Sequence, residues 1–405
     1  MFDLYKLSGN EGKGSIRAIF TRELKKEFLE SVKEIRSKVK LREFCENIGI
    51  GYTTFWDYSN RRESVPLFLL KELESISERK FKIHVQCLEA GTGPTKSKAK
   101  VVGELSEKLA KIIGAYAADG NLRMMSTDWN GKKVTHYELV FREEFESNAK
   151  ALVDWLSDVF GIKPKIREEK NHYCVYISNK IVFRYFTDVF GLDPGRKTEI
   201  VSAPEFVKNS SQNIKKSFIT VVLMFDGSVS YRNGYVELCS RSRRLAIDTA
   251  FILNEIGIEP DYTRLEPDGF GRYRIGVRKF GRLEKCLELF EAKTEKWWRL
   301  KEHLYGFDGK TKSLNILIAN LDEHYPKKRK STLSIAEIVK SVALLQNRGV
   351  PSNFSSIAES LNKSSTVIYE YLRKLERLEI LKTERYGQGK IWLLSEEFPF
   401  PKRGD

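Results

Sequence analysis

The sequence predicts an α+β fold with a core of two similar repeats, each made of helices and antiparallel strands, and a further domain on either side. Two apolar stretches of helix length, Leu109–Leu122 and Phe218–Val229, each contain Asp-Gly and lie about a hundred residues apart. The residues after each stretch show the same order of helical and strand patterns. Segments rich in Gly, Pro, Ser and Lys separate this core from the rest of the chain.

The two halves of the core share more than these stretches. Three short stretches recur at a nearly constant offset, namely Tyr137–Leu139 with Tyr235–Leu238, Gly161-Ile162 with Gly257-Ile258, and Val175–Lys180 with Arg274–Lys279. We therefore expect a duplicated unit that runs helix, strand, strand, helix, strand, helix, with one copy over residues 100–195 and the other over 196–310. A pseudo-symmetric pair within one chain predicts a monomeric core.

Asp119 and Asp226 stand near the ends of the two apolar stretches. A carboxylate is unfavourable at a helix C-terminus, because the last carbonyl groups there carry a partial negative charge. Two aspartates in register at such ends therefore predict a cation between them. The alternative is that Asp-Gly only ends each helix in a turn.

Both stretches resemble the LAGLIDADG motif of homing endonucleases and of intein endonuclease domains. The segment from Gly195, GRKTEIVSAPEFVKNSSQNIKKSFITVVLMFDGSV, is similar to the one that precedes the second motif in intein-type enzymes. The resemblance covers roughly residues 100–310. It implies a saddle-shaped core in which the two motif helices pack side by side and each delivers one acid to a metal-dependent cleavage centre.

The resemblance also implies the ligands and catalytic groups of that centre. Asp119 and Asp226 would bind Mg²⁺ or Mn²⁺, and the carbonyl oxygens of Ala118 and Phe225 would complete the coordination, since hard cations prefer oxygen. The family has a basic residue near the last strand of each repeat. The positions that match, Lys180 and Lys279, suit the stabilisation of charge on a phosphate oxygen, and their alternative is a surface cation at a strand end.

The second motif departs from the family pattern. The first motif has the small residues Gly114, Ala115, Ala117 and Ala118, as close packing of two helices requires. The second has Val221 where the first has Gly114, and Phe225 where it has Ala118. These larger residues predict a wider or shifted helix interface.

Composition points to a nucleic acid as the partner. The 405 residues carry 70 Lys and Arg against 55 Asp and Glu, a formal net charge of +15. Clustered cations favour binding to phosphates, whereas a solvated surface is the alternative. The five cysteines form no CxxC pair and are expected to be buried thiols rather than a zinc site or a disulfide framework. With no apolar run of membrane length and no signal-peptide pattern, we expect a cytoplasmic, nucleoid-associated protein.

The N-terminal residues, 1–92, contain the pattern of a helix-turn-helix over Leu41–Ile76. Leu41, Phe44 and Cys45 form one face of a first helix, and Gly49–Gly51 supplies the turn before a recognition helix at Tyr52–Tyr58. The alternative is an ordinary helical hairpin. The residues expected to contact DNA are Tyr52, Thr53, Thr54, Trp56, Tyr58, Arg61 and Arg62.

Glu89–Lys100 has the composition of a linker. In the first repeat we expect strands at Thr135–Phe141 and His172–Ser178 and helices at Ser147–Phe160 and Lys180–Phe190. The second repeat predicts strands at Gly234–Ser240 and Tyr273–Val277 and helices at Arg243–Ile256 and Arg282–Lys293. The basic residues Lys163, Lys165, Arg167 and Lys170 lie on or beside a hairpin that can face DNA, or form a solvated surface.

A basic linker is predicted at 311–332, where Lys327–Lys330 is a run of four cations, before a winged helix at 333–405. Its helices are expected at Ile335–Asn347, Asn353–Leu361 and Ser364–Leu378, and its wing at Ile380–Glu384 and Lys390–Leu394. The residues that would face DNA are Lys363, Ser364, Ser365, Thr366, Tyr369, Arg373, Arg385 and Lys390. Winged helices also serve as protein interaction modules, and dimerisation through this one stays open.

Two functions follow from these patterns. The first is a LAGLIDADG-type hydrolase that cleaves both strands of DNA at a long site with magnesium or manganese. The second is a regulator or architectural protein that binds DNA on the same scaffold without cleavage. Duplex DNA is the expected partner in both, and a structured RNA is the alternative target.

Overall fold

The computed structural model describes residues 2–8, 16–77, 79–91, 96–129, 131–170, 172–195, 197–230, 234–290, 294–305, 335–377, 380–386 and 389–394. The protein is α+β, with helices and antiparallel sheets as predicted. It divides into two compact units, one of Met1–Ser228 with Val236–Val277 and the other of Val229–Tyr235 with Arg278–Asp405. Within the described residues, every helix falls short of the length and apolar character that a membrane crossing requires.

The N-terminal part combines four helices with a small sheet. In chain order the elements are β1 (Arg17–Ile19), α1 (Arg22–Lys38), α2 (Leu41–Asn47), α3 (Tyr52–Asn60), β2 (Ser64–Pro66), α4 (Leu67–Ser77), β3 (Cys87–Ala90) and β4 (Ser97–Lys100). The sheet order is β2-β1-β3-β4. Thr21 begins α1, since its hydroxyl accepts a hydrogen bond from the Leu24 N–H at 3.1 Å.

The predicted linker at Glu89–Lys100 is therefore wrong as a description of the local structure. Strands β3 and β4 pair as an antiparallel hairpin within the sheet. Leu88 and Ala99 face each other across it, and both are buried. Alternation of these few apolar residues with lysines is enough for a half-buried strand, although the average composition is that of a linker.

The first repeat contains α5 (Glu107–Asp119), β5 (Gly120–Trp129), β6 (Lys132–Glu143), α6 (Glu146–Phe160), β7 (Lys165–Glu169), β8 (His172–Ser178) and α7 (Lys180–Arg184), which continues into a π-helical turn at Tyr185–Val189. Ser106 caps α5 by accepting a hydrogen bond from the Leu109 N–H at 3.2 Å. Gly161 ends α6 with φ +63°, a left-handed conformation that glycine adopts without strain. The four strands form a sheet in the order β5-β6-β8-β7.

The second repeat has the same order of elements. After a short helix α8 (Glu205–Lys208) come α9 (Gln212–Phe225), β9 (Gly227–Ser230), β10 (Tyr235–Ser240), α10 (Arg243–Glu255), β11 (Tyr262–Arg264), β12 (Tyr273–Val277) and α11 (Phe280–Leu289). Its sheet order, β9-β10-β12-β11, is that of the first repeat. The predicted duplication is confirmed, with one strand more in each copy. The additional strands, β7 and β11, are short and polar, so their sequence shows little strand pattern.

The remaining helices are α12 (Glu295–Tyr305), α13 (Ile335–Asn347), α14 (Phe354–Leu361) and α15 (Ser365–Arg377), followed by a hairpin of β13 (Leu381–Tyr386) and β14 (Gly389–Leu394). Elements α13 to β14 begin and end within two residues of their predicted bounds. They enclose a core that includes Ile338, Val342, Ile368, Leu372 and Trp392. The predicted basic linker, with Lys327–Lys330, lies outside the described residues.

Candidate cation site and nucleic-acid interface

Helices α5 and α9, which carry the two Asp-Gly motifs, pack against each other at very short range. A Cβ placed on Gly114 would lie 2.6 Å from the carbonyl oxygen of Phe218 and 3.4 Å from the Cβ of Val221. The glycine of one helix thus accommodates the valine of the other. The wider interface that the larger residues of the second motif predict is not seen at this point.

The glycines after the two aspartates are required because the chain passes too close to the preceding helical turn for a side chain, and not because they adopt a left-handed conformation. Gly120 has the extended conformation φ −76°, ψ 152°, and a Cβ on it would lie 2.6 Å from the Cα of Tyr116. A Cβ on Gly227 would lie 2.9 Å from the Cα of Leu223. In both motifs the chain passes closely over the last helical turn into the next strand, which leaves Asp119 and Asp226 at equivalent helix ends.

A lysine that the sequence analysis did not single out occupies the end of α5. The Nζ of Lys197 donates hydrogen bonds to the carbonyl oxygens of Ala117 at 3.0 Å and Ala118 at 2.8 Å, and also to that of Tyr116. These carbonyls belong to the last turn of α5, where that of Tyr116 also accepts a hydrogen bond from the Gly120 N–H. The end of the first motif helix thus holds an ammonium of the chain itself, and the predicted metal at the two aspartates stays a prediction.

The environment of Lys197 ties both aspartates to this ammonium. Burial of the ammonium lowers the pKa of Lys197 to about 8, while the charges of Asp119 and Asp226 act in the opposite direction. Both carboxylates therefore lie close enough to stabilise the same positive charge. The charges of the aspartates at the two motif-helix ends thus act on the same ammonium.

Hydrogen bonds on both sides of Lys197 fix the segment that carries it. The Tyr116 hydroxyl donates to the carbonyl of Asp193 at 3.0 Å, and the Gly195 N–H donates to the carbonyl of Leu122 at 3.2 Å. After the lysine, the Val201 N–H donates to the Lys197 carbonyl at 2.8 Å. The segment between the repeats is thus attached to the first motif helix and its strand.

An open cleft of about 680 Å³ reaches this position from solvent. Its lining includes Asn121, Arg123, Gly195, Lys197 and Thr198. The cleft borders the end of α5 at Gly120 and Lys197 and is open to solvent. No local sequence pattern identifies Lys197, because it follows other polar residues in a connecting segment.

The two lysines predicted as catalytic groups lie at helix starts. Lys180 is the first residue of α7, and its Nζ lies 5.4 Å from the ring centroid of Tyr137. Lys279 precedes α11 as its N-cap residue. The lysine bonded to the carbonyls of the motif helix is Lys197, so the predicted roles of Lys180 and Lys279 remain predictions.

The first sheet has a buried face and a basic face. Phe141, Val175 and Ile177 are buried on the side that packs against helices. On the opposite side, Arg142 and Arg167 flank Cys174 in cross-strand register, and both arginines are exposed. The predicted residues Lys163, Lys165 and Lys170 are also exposed. Arg142 was not predicted, although alternation along β6 places it on this face.

The second sheet carries arginines that are held by acids. Arg264 and Arg274 are cross-strand neighbours. Arg274 forms ion pairs with Asp268 and Glu237, both at 3.1 Å. A cleft of about 680 Å³ is lined by Arg264, Asp268 and Arg274 together with Arg243 and Arg272. This face is more charge-balanced than that of the first sheet.

In the N-terminal part, most of the predicted contact residues are exposed. They are Tyr52, Thr53, Thr54, Trp56, Arg61 and Arg62. Tyr58 is buried, so its predicted contact with DNA is wrong. It lies one helical turn after the buried Phe55 and belongs to the same apolar face of α3, which turns inward.

In the C-terminal part, Lys363, Ser364, Tyr369 and Arg373 are exposed. The guanidinium of Arg373 lies 5.8 Å from the ring centroid of Tyr369. Arg385 and Lys390 are exposed cross-strand neighbours on the hairpin. The side chains of Ser365 and Thr366 lie outside those that the structure describes.

All five cysteines are free thiols. Cys87 is exposed, against the expectation of burial, because it faces outward at the start of β3. Cys174, with Glu169 and His172, has ligand atoms within 4.8 Å of one another. Glu169 in this group pairs with His172 at 3.2 Å and accepts a hydrogen bond from the Tyr176 hydroxyl at 2.6 Å. A polar network on the basic sheet therefore accounts for the group.

No protein-family model matches the chain. Among curated proteins, a DNA polymerase of Thermococcus kodakarensis is 28% identical over 185 residues, which is 45% of this chain and 10% of the relative. A DNA polymerase of Methanocaldococcus jannaschii is 23% identical over 61% of this chain and 14% of the relative. An A-type ATP synthase subunit from Pyrococcus abyssi is 23% identical over 40% and 15%. The chain thus spans 10 to 15% of these relatives, whose names do not describe it.

The chain is similar in structure to LAGLIDADG proteins. The homing endonuclease I-DmoI in complex with DNA and Mn has a TM-score of 0.35 and 16% identity over 45% of this chain and 94% of its own. The LAGLIDADG homing endonuclease I-GzeII in complex with its DNA target has 0.35 and 8% over 56% and 94%. Full-length DUF199/WhiA from Thermatoga maritima has 0.33 and 11% over 68% and 92%. Similarities at these scores say nothing about the activity of this chain.

Proposed function

We propose that this protein binds duplex DNA and cleaves both strands in a metal-dependent reaction centred on Asp119 and Asp226. The observation that carries the proposal is that both aspartates lie at the ends of closely packed helices and that the charges of both raise the pKa of one ammonium, that of Lys197. Two carboxylates at one cation position are what a metal-dependent phosphodiesterase needs. In this proposal the protein is a site-specific endonuclease of LAGLIDADG type.

The exposed basic face of the first sheet supports the DNA-binding part of the proposal. Arg142 on β6 and Lys165 and Arg167 on β7 project from one surface on either side of β8, and the chain has a net charge of +15. Arginine and lysine on such a surface neutralise phosphates, which dominates affinity for duplex DNA. The predicted helix-turn-helix would bind DNA through Trp56, and the predicted winged helix would bind DNA through Arg373.

The residues at the helix ends fit a divalent cation. Carboxylates and main-chain carbonyls are the oxygen ligands that Mg²⁺ and Mn²⁺ accept, and the ammonium of Lys197 already stands in for a cation there. Asp119 and Asp226 would hold the metal, with the carbonyls of Ala118 and Phe225 as further ligands. When bound, such a metal activates water and stabilises the leaving oxygen.

The remaining groups of the centre would act on the phosphate. The basic sheet would orient the phosphate backbone towards the helix ends. Holding the phosphate in place in this way lowers the entropic part of the reaction barrier. Lys180 and Lys279 are the proposed groups that stabilise charge developing on phosphate oxygens.

A specific observation favours the second candidate, a DNA-binding protein that does not cleave. Lys197 donates three hydrogen bonds to the carbonyls of Tyr116, Ala117 and Ala118, one of them a proposed metal ligand. A protein in which the ammonium of Lys197 permanently occupies this position would keep the DNA-binding scaffold but would not cleave DNA. The two candidates differ in whether DNA is cut, and they agree on binding.

The test is a cleavage assay on a randomised plasmid library and on the DNA that flanks the gene, with magnesium and with manganese. Wild type is compared with Asp119→Asn, Asp226→Asn and the control Asp154→Asn, an exposed aspartate on α6. Metal-dependent double-strand cuts that are lost in the first two variants and kept in the control are expected. Salt-sensitive binding of DNA by all four proteins without cuts would instead establish the non-cleaving candidate.

A further inference from the structure

The cation of the aspartate centre is built into the chain. We propose that Lys197 holds the cation position in the metal-free protein, and that a divalent metal enters the centre by displacing its ammonium. The inference rests on the proposed function in one respect, since it takes Asp119 and Asp226 as a cation site. It adds that metal and lysine compete for that site.

The competition follows from a shared ligand. The Ala118 carbonyl, a proposed metal ligand, accepts a hydrogen bond from the Lys197 Nζ at 2.8 Å. A metal at this oxygen would sit roughly 2.0–2.6 Å from it, within a few ångströms of the ammonium. Two cations at that separation repel strongly in a partly buried site. Metal and ammonium therefore exclude each other.

The balance of charge gives the same result. Two aspartates and one lysine leave a net charge of −1 at the helix ends, and a divalent ion in addition would make it +1. Without the lysine, the same ion would meet the full −2 of the carboxylates and neutralise it. Removing the lysine charge should therefore increase the affinity for a divalent metal.

Lys197 is held as a structural element and not as a freely moving surface chain. Its Nζ lies 5.0 Å from the ring centroid of Tyr116, in addition to its bonds to three carbonyls. The hydrogen bonds of Gly195 and Tyr116 anchor the segment before it. The same lysine lines the open cleft beside Asn121 and Thr198, and this cleft is the route to solvent that the displacement requires.

The first experiment measures Mn²⁺ binding to the full-length protein without DNA, by the loss of the free-ion electron paramagnetic resonance signal. Lys197→Met should bind Mn²⁺ at least about tenfold more tightly than wild type, since one unit of like charge leaves the site. The control Lys111→Met removes a lysine from α5 itself, where it lies 5.0 Å from the Trp155 ring, and should bind as wild type does. Lys197→Met with Asp119→Asn should lose the gain.

Equal affinities in wild type and Lys197→Met would overturn the proposal. If Lys197→Met does not fold, as circular dichroism would reveal, wild type itself supplies the test. Acetylation of each lysine is then measured by mass spectrometry with and without Mn²⁺ at a saturating concentration. Increased modification of Lys197 relative to Lys111 supports displacement, and unchanged modification refutes it.

Neither readout involves cleavage, so the two proposals fail separately. If the protein cuts no DNA but Lys197→Met binds Mn²⁺ more tightly than wild type, the competition proposal is supported and the nuclease proposal is refuted. If the protein cuts DNA in the presence of metal and Lys197→Met shows no such gain in affinity, the nuclease proposal is supported and the competition proposal is refuted.

Discussion

Gly114 of α5 packs directly against the main-chain carbonyl of Phe218 in α9, so that a Cβ at Gly114 would lie 2.6 Å from that oxygen. Rotation of a side chain cannot relieve this contact, because the Phe218 oxygen is a backbone atom of α9 and the added Cβ is bonded directly to the backbone of α5. Gly114→Ala is therefore expected to separate the helices and lower the free energy of unfolding by about 1–3 kcal/mol, as overpacking does. Urea unfolding followed by circular dichroism measures this change.

The control for this variant is Gly103→Ala, where a Cβ would meet nothing within 4 Å. It should leave the free energy of unfolding within about 0.5 kcal/mol of wild type. Equal effects of the two substitutions would mean that the helices are not in close contact at Gly114.

Two adjacent residues of helix α3 are expected to have different roles, Phe55 in stability and Trp56 in DNA contact. Phe55 is fully buried and its ring lies 5.9 Å from that of Phe44, whereas Trp56 is 44% exposed. Phe55→Ala should cost about 3–5 kcal/mol of stability. Trp56→Ala should change stability by no more than about 0.5 kcal/mol and should weaken DNA binding in a fluorescence anisotropy titration. Unchanged binding by a folded Trp56→Ala would remove α3 from the interface.

The basic face of the first sheet predicts a salt effect. Arg142→Gln and Arg167→Gln should each weaken binding to all duplex sequences and reduce the slope of log affinity against log salt by about 1, if each contacts one phosphate. Lys150→Gln is the matched control, because this exposed lysine pairs with Glu146 on α6. A reduction of the slope by the control alone would place DNA on the helical side instead.

The loop between β11 and β12 predicts a pH dependence. Partial burial raises the pKa of Asp268, but the N–H groups of Phe270 and Arg272 and the side chain of Arg274 lower it more, to about 2. The folded protein thus binds this proton less readily than the unfolded chain. The stabilisation by Asp268 is present above about pH 4 and is lost as pH falls towards about 2.

Thermal unfolding between about pH 6 and about pH 2 tests this dependence. Wild type should exceed Asp268→Asn in melting temperature at the upper end of this range, and the difference should shrink as the pH falls. If the difference in melting temperature stays constant over this pH range, the loss of stability in Asp268→Asn comes from side-chain shape or hydrogen bonding and not from the charge of Asp268.

Local pattern was sufficient for most of the elements. Strands β8 and β12 and helix α13 begin and end at the predicted residues, because alternation and helical periodicity reflect contacts made within a few residues. The same reasoning missed β7 and β11, whose polar sequences acquire strand structure from the neighbours they pair with. It also took β3 and β4 for a linker.

The α+β class, the duplicated unit and the two aspartates that end its motif helices could all be predicted from the sequence, since they depend on periodicity and on order along the chain. The burial of Tyr58 and the position of Lys197 at the end of α5 emerged from the three-dimensional packing. The lysine and the Ala118 carbonyl are 79 positions apart in the chain. A contact between residues so distant depends on how the helix, strand and connecting segment pack together, and no local pattern of residues encodes it.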